Sequence, residues 1–375
     1  MITYAYELGH QPHISHAEIL SVLKLHSISY TSITRNNDFF IIETPSPIDA
    51  SLLMRTLGGT IRIARKIESR EHDLATLIHH LEHATDGKIQ FSLSGSFPSK
   101  FALQLKKELK SRGRSVRYIE AKNTATIIHN NLIEKKGDIL KIGSDWFVTE
   151  AVQDIANFSS RDFDRPRADT KSGMLPPKLA RMMINLAEVP SDAHLLDPFC
   201  GSGTVLIEAL SLGYSHVSGS DTSEKAVEDS TANIGWFRKE HPECKAHTAV
   251  HLGSATTLSK IFKPSSVDAI ISEPYMGSPL RGHESRLALE TQAQELKTLF
   301  IDSFTSFHTI LSPHAVVIFI IPIFRHGTDW IRTLAHNEIE KRGFSIVPFS
   351  PDHHSLLYSR ADQFVGREIW KFKKN

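Results

Sequence analysis

The sequence predicts an α/β protein whose second half is a doubly wound, mostly parallel sheet and whose first half is a smaller α+β region. Three observations carry this. An apolar strand runs into a glycine-rich turn and straight into a helix at Leu195-Leu-Asp-Pro-Phe-Cys-Gly-Ser-Gly-Thr-Val-Leu-Ile-Glu208, the connection that opens nucleotide-binding sheets. Strand-length apolar runs then alternate with helix-length amphipathic ones to the end of the chain. Before residue 159 helices alternate with short strands, and Ser159–Ser172, between the two regimes, is polar, basic and aperiodic, as a linker is. A chain of 375 residues suits two or three domains. No run approaches the ~20 apolar residues of a membrane-spanning helix.

In the first region Ser15-His-Ala-Glu18 has the form of a capping box, with Ile19, Leu20 and Leu23 as the apolar stripe behind it. Phe39–Glu43 reads as a strand. Pro47 keeps the chain extended ahead of Asp49, which caps a short helix ended by Gly58-Gly59. Asp73 caps the next helix, which carries Leu77, Ile78 and Leu81 on one side, and Gly87 follows it. Lys88–Ser94 alternates as a strand. The helix opened by Ser99 turns Phe101, Ala102, Leu105 and Leu109 inward and Lys106, Lys107 and Lys110 outward, and stops at Gly113. Strands around Ser115–Ile119, Ile139–Ile142 and Trp146–Ala151 complete the region.

After the linker, Pro176-Pro177 starts a helix that runs to Ala187. Strands are expected at His194–Asp197, Val217–Ser220, Ala249–Leu252, Val267–Ser272, Ala315–Ile321, Ser345–Phe349 and Glu368–Phe372. Helices are expected at Gly203–Leu212, Ser223–Arg238 and Leu289–Leu311.

Net charge is +1 and excludes nothing, but its distribution is informative. Within Lys100–Arg117 seven basic residues face the single acid Glu108, a patch able to meet a phosphate backbone. Two cysteines, Cys200 and Cys244, exclude a disulfide framework and a cysteine-rich zinc site. His79 and His83 lie one helical turn apart without the acid of a His-Glu-x-x-His pattern, so no metal is expected. The N-terminus shows no basic segment followed by an apolar one, which leads us to expect no secretory signal, a cytoplasmic protein and no membrane partner.

The turn after Asp197 narrows the ligand. Gly201 and Gly203 let the backbone approach a bound molecule closely. A dinucleotide fingerprint needs a third glycine where Leu206 stands, and no Gly-Lys-Ser/Thr follows for a triphosphate. Asp197 at the strand end would repel a pyrophosphate and suits a cation, such as the α-amino group of a methionine moiety. Asp221 ends the next strand, where a carboxylate accepts from ribose hydroxyls. S-adenosylmethionine fits the pair.

A later strand, Val267–Ser272, ends in Ser272-Glu273-Pro274-Tyr275. An exocyclic amino group on a base is a poor nucleophile because its lone pair is delocalised into the ring. The Ser272 hydroxyl and a backbone carbonyl held by Pro274 can accept its hydrogens and localise that lone pair. Tyr275 can stack on the base, and Glu273 can take the released proton or serve structure alone. Methylation at pyrimidine carbon would need an attacking cysteine. Neither Cys200, in the turn, nor Cys244 is placed for it, so nitrogen is the expected acceptor.

Asp197-Pro-Phe-Cys-Gly-Ser-Gly-Thr204, Asp221 and Ser272-Glu-Pro-Tyr275 resemble the motifs of class I amino-methyltransferases. Arg161-Asp-Phe-Asp-Arg-Pro166 with Gly173-Met-Leu-Pro-Pro-Lys-Leu-Ala-Arg-Met-Met-Ile-Asn-Leu-Ala187, together with the opening Tyr4–Pro12 and Ser15–Glu18, resembles THUMP-domain tRNA guanine-N2 methyltransferases acting on guanosine ten. The resemblance implies an N-terminal ferredoxin-like segment at 1–69, a THUMP-like RNA-binding module at 70–151, a linker at 152–172 and a Rossmann-like methyltransferase domain at 173–375. It implies a cofactor pocket of Leu175, Pro176, Asp197, Phe199, Gly201, Gly203, Thr204, Asp221, Thr222, Ser254 and Ala255, with Ser254 where the family usually carries an acid facing the adenine. Ser-Glu-Pro-Tyr likewise departs from the usual Asp-Pro-Pro-Tyr.

The expectation is an S-adenosylmethionine-dependent methyltransferase acting on guanine N2 of tRNA, with tRNA docked on Lys100, Lys106, Lys107, Lys110, Arg112, Arg114, Arg161, Arg165 and Arg167. Double-stranded RNA is read by shape and backbone, which a basic α+β face can do, and the target base would enter flipped from its stack. A DNA or rRNA amino-methyltransferase stays open as an alternative enzyme. So does a non-catalytic tRNA-binding protein with a degenerate methyltransferase fold. A partner subunit is not indicated.

Overall fold

A computed structural model describes residues 1–167, 174–360 and 363–375. It forms two compact units, the first of Met1–Pro12, Ser27–Arg55 and Thr60–Asp154, the second of His13–His26, Thr56–Gly59 and the described part of Ile155–Asn375.

In the first unit strands β1 (Ile2–Leu8), β2 (Thr31–Arg35), β3 (Phe39–Thr44), β4 (Thr60–Lys66), β5 (Ile89–Gly95), β6 (Val116–Tyr118), β7 (Asp138–Ile142) and β8 (Asp145–Val152) make one sheet in the order β2-β3-β1-β4-β8-β7-β5-β6. All its pairs are antiparallel except those of β5, which runs parallel to both β6 and β7. Helix α1 (Pro12–Leu25) belongs almost wholly to the second unit, whereas α2 (Ala50–Thr56), α3 (Asp73–Ala84), α4 (Phe101–Ser111) and α5 (Thr124–His129) serve the first. Leu77 and Leu81 of α3 and Leu105 and Leu109 of α4 close a core over Ile89 and Phe91. The amphipathic spacing read in the sequence therefore buries the faces it assigned.

Two caps divide. Asp49 accepts from the Leu52 N–H at 2.8 Å and opens α2 as expected. Asp73 does not cap α3. His72 does, its Nδ1 accepting from the Ala75 N–H at 3.1 Å, while Asp73 pairs with Lys141. A cationic partner competes better for a carboxylate than one main-chain N–H does.

In the second unit strands β9 (His194–Asp197), β10 (His216–Asp221), β11 (His247–Leu252), β12 (Val267–Ser272), β13 (Leu311–His326), β14 (Asp329–Arg332), β15 (Phe344–Ile346), β16 (Ser355–Tyr358) and β17 (Val365–Lys374) form the sheet. Its order is β11-β10-β9-β12-β13-β17-β15, with β14 on β13 and β16 on β17. The first five strands are parallel and β17 is antiparallel to β13. Helices α6 (Ile155–Ser159), α7 (Pro177–Ala187), α8 (Thr204–Ser211), α9 (Glu224–Glu240), α10 (Arg286–Ile310) and α11 (His336–Glu340) follow in chain order. Continuous apolar runs are what a sheet covered on both faces requires. Leu195, Ile271 and Ile318 point into one core, and their neighbours Leu196, Ile270 and Phe319 into the other. This is the doubly wound α/β sheet that the alternation predicted.

The capping-box reading of Ser15–Glu18 does not hold. Helix α1 begins at Pro12, so Ser15 lies inside it, buried, and Glu18 is fully buried. The Glu18 carboxylate accepts from the Gly58 and Gly59 N–H groups at 2.7 and 2.8 Å and from Asn185 at 2.7 Å. Burial pushes its pKa up to about 7 against the pull of those donors. These bonds tie residues 13–26 and 56–59 to α7, so they group with the second unit rather than with a segment spanning 1–69.

The described part of the linker is also more ordered than its composition suggests. Helix α6 passes into a wide helical turn at Ser160–Asp164, held by charge rather than by an apolar stripe. Residues 168–172, and the boundary placed at 172–173, lie outside the described residues.

Candidate active site

Strand β9 delivers Asp197 to the carboxyl edge of the parallel strands, and the chain turns through Pro198–Gly203 into α8. Gly201 and Gly203 have φ of +51° and +85°, a region where side chains are strained. A Cβ at Gly203 would press on Ser230 at 3.1 Å, whereas one at Gly201 would meet nothing within 4 Å. The turn is thus packed on one side and open on the other. Its closeness to β10 depends on Gly219, whose added Cβ would lie 3.0 Å from that of Cys200. Cys200 is buried, and burial raises its thiol pKa far above the working range. It fills the turn.

Asp221 ends β10 beside this turn. Its Oδ2 accepts from the Gly201 N–H and its Oδ1 from the Ser223 N–H, each at 3.0 Å. Each oxygen keeps a lone pair, so the carboxylate can brace the turn and still accept from a ligand hydroxyl. The Gly253 N–H donates to the Asp221 carbonyl at 2.8 Å, which brings the end of β11 alongside. There Ser254 caps a short helical turn, accepting from the Thr256 N–H at 3.2 Å, and Ala255 is buried behind it. Thr222 is exposed, Phe199 is half-buried and packs edge-on against Phe319, and Leu175 is buried beside half-buried Pro176 at the start of α7.

The two segments singled out by sequence meet. The Ser272 hydroxyl donates to Asp197 Oδ1 at 2.7 Å, although 75 residues separate them, because β9 and β12 are neighbours in the sheet. Asp197 also accepts from the Phe199 N–H at 3.1 Å. Burial, reinforced by the charges of Asp221 and Glu273, raises the Asp197 pKa to about 7 against these donors.

Three assignments change. Ser272 is fully buried and its hydroxyl is given to Asp197, so it does not face a substrate amino group. Glu273 does not stand free to collect a proton. Its carboxylate is paired with Arg367 of β17 at 2.5 Å, with each side chain 11% exposed. Burial raises the Glu273 pKa while Arg367 opposes the rise. Pro274 is buried and Tyr275 is 57% exposed, so the tyrosine ring is the part of the tetrapeptide free to meet a base.

Thirdly, the basic residues divide. In the first unit Lys100, Lys107, Lys110 and Arg112 are exposed and Lys106 is half-buried. Arg114 is committed instead to the carbonyls of Glu82, Thr85 and Gly87, closing the end of α3. In the second unit Arg167 is exposed, near Asp229 at 3.8 Å, but Arg161 and Arg165 are 2% and 4% exposed and present no surface to a phosphate backbone. Arg161 pairs with Glu208 at 2.5 Å, and Arg181, which sequence reasoning passed over, shares the same carboxylate at 2.8 Å. A lone acid on apolar α8 and a lone arginine on apolar α7 were the available signal, since neither charge could be buried alone.

Residues 165–320 match the UPF0020 family, described as an RMKL-like methyltransferase domain. That region is similar to a methyltransferase domain. The chain is similar to the tRNA (guanine(10)-N2)-dimethyltransferase of Methanothermobacter thermautotrophicus, 23% identical over 324 residues that cover 83% of this chain and 86% of that one. The enzyme of the same name from Pyrococcus abyssi is 33% identical over 129 residues, 33% of this chain and 36% of that one. The crystal structure of TrmN from Thermus thermophilus has the same fold, with a TM-score of 0.54 and 16% identity over the full length of both chains. Among the described residues no helix is long and apolar enough to cross a membrane.

Proposed function

We propose that the protein is an S-adenosylmethionine-dependent methyltransferase that modifies the exocyclic N2 of a guanosine in tRNA, of the position-ten type named in its relatives. The observation that carries this reading is the Ser272–Asp197 bond, which sets the glycine turn against the tetrapeptide at one strand edge.

The residues fit the donor. Space stands open over Gly201, Asp197 suits an ammonium, and Asp221 keeps acceptor capacity for ribose hydroxyls. When bound, the donor supplies a methyl group already activated by positive sulfur. The protein therefore has mainly to align the nucleophile. Tyr275 stacks on the base, and the main-chain carbonyl ahead of Pro274 accepts from its amino group, which keeps the nitrogen lone pair available. As the new nitrogen–carbon bond forms and the carbon–sulfur bond breaks, the surplus amino proton passes to water, since Glu273 is held by Arg367. Residues 1–69 as a ferredoxin-like segment and 70–151 as a THUMP-like module would dock the RNA, in a cytoplasmic protein.

Incubating the full chain with labelled donor and either tRNA or duplex DNA, followed by nucleoside mass spectrometry, tests this. Label in N2-methylated guanosine from tRNA is expected; label in DNA alone, or in no nucleoside, contradicts it. Tyr275→Ala should lower turnover by about 10- to 100-fold, the value of one stacked base, with donor affinity unchanged in a direct titration. Replacing Lys106, Lys107 and Lys110 by Ala should weaken tRNA binding and reduce its dependence on log salt by about two to three. An unchanged salt slope places docking elsewhere.

A further inference from the structure

In the second unit three buried arginines lie near the start of the glycine-turn helix. Arg161, Arg165 and Arg181 are 2%, 4% and 4% exposed, and Glu208, fully buried, is the carboxylate among them. Arg161 and Arg181 both bind Glu208. Arg165 pairs with no carboxylate within 4.0 Å among the described residues. Its Nη1 donates to the Thr204 hydroxyl at 2.8 Å, its Nη2 lies 2.7 Å from the Met174 thioether, and its Nε has no partner. A hydroxyl and a thioether are weak acceptors for a buried guanidinium, whose natural partner is a planar anion that takes two N–H groups at once.

Thr204 is the first residue of α8, so Arg165 stands at the positive end of that helix, on the same turn whose opposite end is Asp197. The two charges match the two ends of an amino acid zwitterion, the ammonium toward Asp197 and the carboxylate toward Arg165.

We propose that Arg165 is a donor-binding residue that recognises the carboxylate of the amino acid end of S-adenosylmethionine. This rests on the donor reading given above and assigns the role to a residue that the sequence had placed on the RNA surface. Helix α8 contributes its unpaired N–H groups to the same anion. Burial depresses the pKa of Arg165, and the charges of Asp162 and Glu208, neither of them within ion-pair distance, oppose the drop.

The test uses the full chain and two ligands, S-adenosylmethionine and its decarboxylated analogue, which differ only in that carboxylate. Titration calorimetry of the wild type should show the analogue binding at least about tenfold more weakly, as a charge-assisted bidentate bond requires. In Arg165→Gln the two should bind within about twofold of each other, through loss of affinity for S-adenosylmethionine alone. Arg165→Lys keeps the charge without the fork and should fall between; it also decides the matter if the Gln variant does not fold. Undiminished preference for the carboxylate in both variants overturns the assignment. Failure of the wild type to bind either ligand overturns the donor reading itself, a separate result from the first.

Discussion

Asp197→Asn is expected to lower donor affinity by about 100-fold or more, because it removes the charge meant for the donor's ammonium from a buried site. The fold should survive, since an amide still accepts from Ser272 and from the Phe199 N–H. The effect carries a pH signature. Burial holds the Asp197 carboxyl up at about 7, so at pH 5 to 6 the free protein keeps it neutral. A cationic ligand binds the ionised form, hence wild-type affinity should rise by up to about tenfold per pH unit below 7 and level off above it. Asp197→Asn should flatten that rise. Stability runs the opposite way. A carboxyl whose folded pKa is raised contributes stability that is complete below the unfolded value near 4 and is lost as pH climbs through 7. The Asn variant should therefore melt higher than the wild type at pH 8 in the absence of ligand. A pH-independent wild-type affinity between 6 and 8 would contradict the role given to Asp197.

Glu208→Gln is expected to destabilise the second unit by about 3–5 kcal/mol, the cost of leaving buried charges without their partner. Two guanidinium groups, Arg161 and Arg181, depend on this one carboxylate, and the amide can satisfy neither as a charge. For a unit of this size that corresponds to a fall in melting temperature of about 10 °C, readable by scanning calorimetry. Truncating Lys225, 79% exposed in its pair with Asp229, is the matched control and should shift nothing measurable. Equal melting of Glu208→Gln and wild type would mean that the linker and α7 are not held to α8 by this network.

The parts of the molecule that rest on local pattern were legible in the sequence. Val267–Ser272 came out to the residue, because its central Ala269-Ile270-Ile271 is an unbroken apolar run, as a strand covered on both faces requires. The glycine turn and its two acids were readable because only glycine meets φ of +51° and +85° there without strain. What failed depended on partners distant in the chain. Ser15–Glu18 has the composition of a helix start, yet Glu18 is captured by Gly58 and Gly59 some 40 residues on. Glu273 looked available for a proton until Arg367, 94 residues later, was seen to hold it. Arg161 and Arg165 looked like surface cations because the linker shows no apolar period. Their burial follows from Glu208 and Thr204, which sit on another helix. Strand β2 escaped notice because all five of its residues are exposed and so show no alternation.

A crystal structure of the full chain with S-adenosylhomocysteine would test the central claim most directly. The account predicts the ligand over Gly201–Gly203, its ribose at Asp221, its amino acid end between Asp197 and Arg165, and its sulfur directed at the main chain of Pro274–Tyr275. Ligand density on any other face of the sheet, or a sulfur turned away from Tyr275, would contradict it.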